Sequence, residues 1–220
     1  MTVHPPLLWP AYKSTLLRAP SKAPVPLQLS VSELTGPTFS DRPVEAHESD
    51  LTRQGAIGER LIVHGVLRDD TGRPIPHSVI EVWQTNAAGR YANRADQHPA
   101  PLDPNFTGVG RCVTDAQGHY RFQTIRPGAY PWRNHDNAWR PAHIHFSLFG
   151  RAFTQRLITQ MYFPGDPLFD QDPVLNSVRD PAARQRLISA FDLSATEPEW
   201  ALAYRFDIVL GGQSATPMEP

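Results

Sequence analysis

From about residue 59 onward the apolar residues of this chain alternate with polar ones, in short runs cut by turn residues. Residues 60–67 carry Leu61, Ile62, Val63 and Val66, and Asp69-Asp70-Thr71-Gly72-Arg73-Pro74 closes the run. Those residue types reverse a chain: Asp caps its own backbone, Gly accepts positive φ and Pro fixes φ. Residues 78–84 read as the next strand. Residues 110–115 and 120–125, joined by Ala116-Gln117-Gly118, alternate clearly and predict a hairpin. Further strands are expected at 142–148, 156–162 and 204–210. The long connections are 85–109 and 163–203. The second holds one expected helix, with Asp180 as N-cap, Pro181 at its first position, and Leu187, Ile188 and Phe191 on its apolar face. Many short strands separated by Gly, Asp and Pro predict an all-β fold, an antiparallel β-sandwich with long loops and one short helix.

Residues 1–55 have neither period and are rich in Pro, Ser and Thr. They read as an extended N-terminal arm with at most one helical turn, near Ser32-Glu33-Leu34. Its Leu7, Leu8, Trp9, Tyr12, Leu16 and Leu17 predict an arm packed on another surface, a contact segment for a partner. The β-sandwich domain is expected over 56–211, with a C-terminal tail at 212–220. The 23 prolines among 220 residues fit stiff ordered loops rather than a helical bundle.

Charge changes this picture little. Lys and Arg number 21 against 22 Asp and Glu, a net charge of -1, so nothing in the balance draws the chain to nucleic acid or to an anionic membrane. The N-terminus lacks the basic and then unbroken apolar segments of a secretory signal, and no stretch is long enough to cross a bilayer. The single Cys112 fits a reducing compartment and reads as a small apolar strand residue. A cytoplasmic protein is expected.

Candidate chemistry centres on His143-Ile144-His145-Phe146. Two histidines two residues apart on a strand point to one face, while Ile144 and Phe146 supply the other face to a core. Imidazole pairs suit Zn, Cu, Fe and Ni alike. No carboxylate stands where it would complete a two-histidine, one-carboxylate site, and one cysteine cannot build a thiolate site. The neighbouring loops offer phenols instead, Tyr91 and Tyr130. A phenol with an ordinary pKa of about 10 ionises at neutral pH only beside a strongly charged cation, and ferric iron suits this better than zinc.

Six segments then occur in a recognisable order. They are Glu81-Val82-Trp83-Gln84, 86–91 (Asn-Ala-Ala-Gly-Arg-Tyr), 100–106 (Ala-Pro-Leu-Asp-Pro-Asn-Phe), 130–134 (Tyr-Pro-Trp-Arg-Asn), 139–146 (Trp-Arg-Pro-Ala-His-Ile-His-Phe) and 159–166 (Thr-Gln-Met-Tyr-Phe-Pro-Gly-Asp). Over roughly residues 30–211 the chain resembles the intradiol ring-cleavage dioxygenases. The resemblance implies a non-haem Fe(III) held by Tyr91, Tyr130, His143 and His145, acting on a small aromatic diol and O2. It implies that Tyr130 is displaced by substrate and accepts a substrate proton, and that Arg140 steadies developing negative charge. Gln160 is expected to orient Arg140, Trp132 to pack against the substrate ring, Trp83 to contribute to the substrate site, and Tyr162 to support it.

Family members that act on catechol or hydroxyquinol carry an N-terminal helical domain, which residues 1–55 do not resemble. The resemblance therefore favours the branch in which a homologous alpha subunit, lacking the iron ligands, completes the active site. The reaction expected there is cleavage of 3,4-dihydroxybenzoate with O2 to 3-carboxy-cis,cis-muconate. The alternatives are a catechol or hydroxyquinol 1,2-dioxygenase and, outside enzymes, a transthyretin-like binding β-sandwich. Two departures from the family pattern, Ala129 before Tyr130 and Ala92-Asn93 after Tyr91, touch substrate preference rather than the ligands.

Overall fold

A computed structural model describes residues 4–22, 43–52, 55–93, 96, 98–132, 139–149 and 156–219. Its strands are β1 (Arg60–Asp69), β2 (Val79–Trp83), β3 (Val109–Val113), β4 (His119–Ile125), β5 (Tyr130–Pro131), β6 (Trp139–Arg140), β7 (His143–Phe149), β8 (Arg156–Tyr162), β9 (Ala190–Phe191), β10 (Leu202–Arg205) and β11 (Ile208–Leu210). One sheet runs β3-β2-β7-β8 and is antiparallel throughout. In the other, β4 pairs antiparallel with one edge of β1. β5 and β6 form a separate two-stranded ribbon.

Alternation built these layers. Ile80, Val82, Ile144, Phe146 and Leu148 of one sheet meet Leu61, Val63, Leu67, Tyr120 and Phe122 of the other in one buried cluster. Phe146 is the hinge of the packing: its ring centroid lies 5.8 Å from Phe122, 6.1 Å from Tyr120 and 5.2 Å from Phe206, in tilted and edge-to-face geometry. Cys112 is buried in β3, and burial pushes its thiol up to about 12, so it behaves as the small apolar residue its strand position suggested.

The strand expected at 204–210 is interrupted. β10 and β11 run parallel to β1 in one continuous register, Leu61 opposite Leu202 and Leu67 opposite Ile208. Between them Phe206 N–H donates to His64 O (2.8 Å) and Val66 N–H donates to the Asp207 side chain (3.0 Å). The Tyr120 hydroxyl donates to the Phe206 carbonyl. The sandwich is thus antiparallel except along this edge.

The expected helix begins at its Asp180 cap and Pro181, but it ends at Gln185. Leu187 O and Ser189 N–H bond to the main chain of Tyr162, which draws the segment off the helical path, and Phe191 then pairs with Tyr204 in β9. Two further short helices, Thr15–Arg18 and Pro173–Ser177, were not anticipated. The helical turn expected at Ser32-Glu33-Leu34 lies outside the described residues. Residues 4–22 pack on the chain's own body: Tyr12 is buried against Trp132, with centroids 5.0 Å apart, while Leu8, Leu16 and Leu17 remain exposed. Leu51, near the end of the segment read as the arm, is wholly buried in the main core.

Where β1 passes the interruption, Gly65 approaches backbone closely; a Cβ there would sit 2.0 Å from Phe206 O. That oxygen is already held by Tyr120. Gly65→Ala should lower the free energy of unfolding by about 3 kcal/mol, the upper range for overpacking. Chemical denaturation checks this; parent-like stability would show that the Phe206 carbonyl can move aside.

Candidate metal centre

Register assembles the site. On the face of the β2-β7-β8 sheet away from the core, His145 stands opposite both Trp83 and Gln160, and His143 stands opposite Tyr162. Trp83 and His145 stack nearly parallel, 4° apart with centroids at 4.7 Å. In the ribbon, Tyr130 pairs directly with Arg140. Each of these cross-strand neighbours follows from the pairing of extended backbones.

Both histidines are buried and each has a partner for Nδ1. His143 Nδ1 lies 2.7 Å from Pro141 O, which can only accept, so that nitrogen carries the proton and Nε2 keeps its lone pair. His145 Nδ1 lies 3.2 Å from a Glu219 carboxylate oxygen, which assigns the same tautomer. The two rings are 4.8 Å apart. Burial, and then the charges of Arg140 and His145, hold His143 well below its ordinary pKa, so it is a neutral imidazole whose Nε2 can accept. Burial alone would raise the Glu219 carboxyl, but the bond from His145 and the charges around it outweigh this and leave it lowered.

The phenols arrive on two interlocked loops. Asn86 organises the first: its side-chain oxygen accepts from Ala88 N–H and Arg90 N–H, and its backbone carbonyl accepts from Gly89 and Gly128. Gly89 has φ +78°, and a Cβ on it would meet Ala129 O at 2.1 Å, so only glycine lets the two loops touch. Asp96 then fixes Tyr91 by accepting from its N–H at 2.8 Å. As a result the Tyr91 and Tyr130 rings meet edge-on at 5.3 Å, and the Tyr91 hydroxyl is 3.0 Å from His145 Nε2. Burial, and then the neighbouring Tyr130, push Tyr91 well above the ordinary phenol pKa. Its ionisation here requires a cation.

Arg140 is 2% exposed and spends all its donors. Nε and Nη2 form a bidentate pair with the fully buried Asp172, at 3.1 and 2.9 Å. Nη2 also reaches Gln160 Oε1 (2.6 Å) and the Tyr162 hydroxyl (2.9 Å), while Nη1 reaches His143 Nε2 (3.1 Å) and the Tyr130 hydroxyl (3.4 Å). The guanidinium carbon lies 5.2 Å from the centre of the Trp132 ring. Tyr91, Tyr130, His143, His145, Arg140, Gln160, Trp83 and Trp132 are therefore brought together. Arg133 and Asn134 lie outside the described residues.

Two members of the cluster escaped the sequence reading. Asp172 precedes Pro173 just as Asp180 precedes Pro181, and it caps its helix through Val174 N–H at 3.1 Å. That signal was available, but nothing local told the fully buried carboxylate from the half-buried one. Glu219 comes from the segment read as a tail, and no periodicity or motif marks it. Among the described residues no three His, Cys, Asp or Glu side chains are placed to hold an ion together. A cation at the His143/His145 lone pairs would have to draw on the phenol oxygens, and that donor set of two imidazole nitrogens and two ionisable oxygens suits a hard, highly charged ion.

Tyr91, Tyr130, Trp132, Trp83 and His145 also line a cavity of about 610 Å³, ample for a single aromatic ring. A larger groove of about 880 Å³, around Glu48 and Arg111, contains none of the four candidate ligands and is filled on one side by that ion pair. Because Arg140 and Asp172 neutralise each other in the interior, Asp172→Ala should cost about 3–5 kcal/mol of stability by stranding a buried charge. Arg140→Met combined with Asp172→Ala should recover much of it in a denaturation double-mutant cycle. Additive losses would mean that the pair is not coupled.

Residues 34–212 match the family described as Dioxygenase, and residues 2–30 match the one described as protocatechuate 3,4-dioxygenase beta subunit N terminal. The chain is 52% identical to the protocatechuate 3,4-dioxygenase beta chain of Burkholderia cepacia, over 98% of this chain and 94% of that one. It is 32% identical to the protocatechuate 3,4-dioxygenase alpha chain of Pseudomonas putida, over 76% and 78% of the two. The crystal structure of chlorocatechol 1,2-dioxygenase from Pseudomonas putida superposes with a TM-score of 0.57 at 28% identity, covering 80% of this chain and 69% of that chain. With a family match across most of its length and a relative this similar from end to end, the chain belongs to the intradiol ring-cleavage dioxygenase family.

Proposed function

We propose that this chain is the iron-bearing beta subunit of a two-chain enzyme that cleaves 3,4-dihydroxybenzoate with O2 between its hydroxyl-bearing carbons, giving 3-carboxy-cis,cis-muconate. A homologous alpha chain completes the pocket. The observation that carries the reading is the convergence of two imidazole lone pairs and two phenol oxygens beside a buried arginine. The substrate and the alpha partner are supported by the names of the two protocatechuate relatives.

Tyr91, Tyr130, His143 and His145 would hold a non-haem Fe(III), and the donor set fits it: Pro141 O and the Glu219 carboxylate hold the Nδ1 protons of the two imidazoles and leave each Nε2 to face an ion, and the phenols can supply negative charge. When bound, ferric iron acidifies phenols and diols and draws electron density so that an aromatic diol becomes open to attack by O2. The rest is done by side chains. Tyr130, half-buried and facing the cavity, would as a phenolate be placed to take a substrate hydroxyl proton and become a neutral phenol. Arg140 Nη1 donates to the His143 lone pair, and with that lone pair committed to an ion the N–H would be available to a substrate oxygen. Asp172, Gln160 and Tyr162 hold the guanidinium while it does this, in an interior where a fixed charge acts strongly. Trp132 offers a ring face at the cavity wall. Trp83, stacked on His145, braces that imidazole as well as lining the cavity.

Loaded with Fe(III) and co-expressed with its alpha chain, the protein should be red-brown from phenolate-to-iron charge transfer, and it should consume O2 faster with 3,4-dihydroxybenzoate than with catechol or hydroxyquinol. A colourless loaded protein would exclude the enzyme, and a preference for catechol would move the substrate reading to the rival branch. Tyr130→Phe should retain iron and show slower substrate binding in stopped-flow absorbance. Parent-like binding rates would remove Tyr130 from the role of displaced ligand.

A further inference from the structure

We infer that Glu219, in the segment after β11, is a positioning residue of the metal centre: its carboxylate keeps the proton of His145 on Nδ1 and so presents Nε2 to the ion. The inference rests on the functional reading above and adds to it a residue from outside every motif of the site.

The two histidines are served differently. His143 receives its Nδ1 acceptor from Pro141 O, two residues away, a bond the strand entry itself provides. His145 receives its acceptor from a residue 74 positions away. If His145 instead carried its proton on Nε2, it would donate to the Tyr91 oxygen 3.0 Å away and have no lone pair to offer an ion. A carboxylate on Nδ1 removes that choice, and it makes the imidazole a stronger donor.

The tail is built to deliver this group. Thr216 exchanges bonds with Val209, its N–H donating to Val209 O (2.9 Å) and its hydroxyl accepting from Val209 N–H (3.0 Å). Arg186 Nε donates to Ala215 O at 2.9 Å, and the Thr159 hydroxyl donates to Pro217 O at 2.7 Å. Glu219 N–H then donates to Ile158 O at 2.7 Å. The tail therefore lies along β8, the edge strand of its sheet, and Glu219 is pinned two residues from Gln160, which faces His145. The carboxylate is mostly buried there, 17% exposed against 9% for the His145 side chain. From the other terminus, His4 Nδ1 accepts from Met218 N–H at 3.1 Å.

The test compares the parent with Glu219→Ala and Glu219→Gln, each as the full chain with its alpha partner. Iron affinity is measured by chelator competition, and the tautomer of His145 is measured by two-bond 15N–1H NMR on the metal-free chain. Glu219→Ala should bind Fe(III) about 10- to 100-fold more weakly and should lose the Nδ1–H tautomer. Glu219→Gln, whose amide oxygen can accept the same bond, should recover part of the affinity. Parent-like affinity in Glu219→Ala overturns the proposal. So does a His145 proton found on Nε2 in the unmodified chain, a measurement that stands even if the alanine variant does not fold. A parent that takes up no Fe(III) overturns the metal reading itself, and with it this proposal, and it is recognised because the failure lies in the parent rather than in the variants.

Discussion

Strand β7 is buried on both faces, and the two burials are of different kinds. Ile144, Phe146 and Leu148 go into the inter-sheet core, where area removed from water stabilises the sandwich. His143 and His145 go under the 86–91 and 128–132 loops, where burial costs free energy unless every polar atom is paired. The core face locks the register of β7 against β2 and β8. A slip by one residue would send the histidines into the core and Phe146 into the site. The placement of the chemistry is thus secured by packing that takes no part in it.

On the polar face, the arginine and the His145 ring find partners in distant segments. Arg140 is tied to Asp172, Tyr162 and Gln160, so a guanidinium sits in the interior without a stray charge. Replacing either partner of such a pair harms stability more than the pair itself contributes. Its value lies in rigidity: a guanidinium held by four hydrogen bonds keeps one orientation at the wall of the site. The same holds for the stacked Trp83 and His145 rings and for the loops clasped at Gly89.

The ends of the chain belong to this arrangement. Tyr12 packs on Trp132, which in turn faces Arg140; Met218 meets His4, and Glu219 meets His145. Segments read as an arm and a tail thus bear on the walls of the cavity and on its candidate ligands. The exposed leucines of the first helix and its approach remain outward, on the side of the arm away from the chain's own core.

Much of this was legible in order along the chain. Alternating runs and turn residues identify most strands, and the spacing of two histidines in such a run places both imidazoles on one face, because the side-chain period of a strand is local geometry. The motifs around Tyr91, Tyr130 and Arg140 point to the same family that the relatives show. What the chain alone did not disclose are relations between segments far apart. These are the parallel edge of β10 and β11, the early end of the helix after Asp180, and above all the two carboxylates at Asp172 and Glu219. An aspartate before a proline has the same local signature whether it caps a helix in water or neutralises a buried arginine, and a tail glutamate has none. Local chemistry determines which residues can act, but only the three-dimensional packing decides which charges lose their water, and it is the loss of water that turns a carboxylate into part of a site.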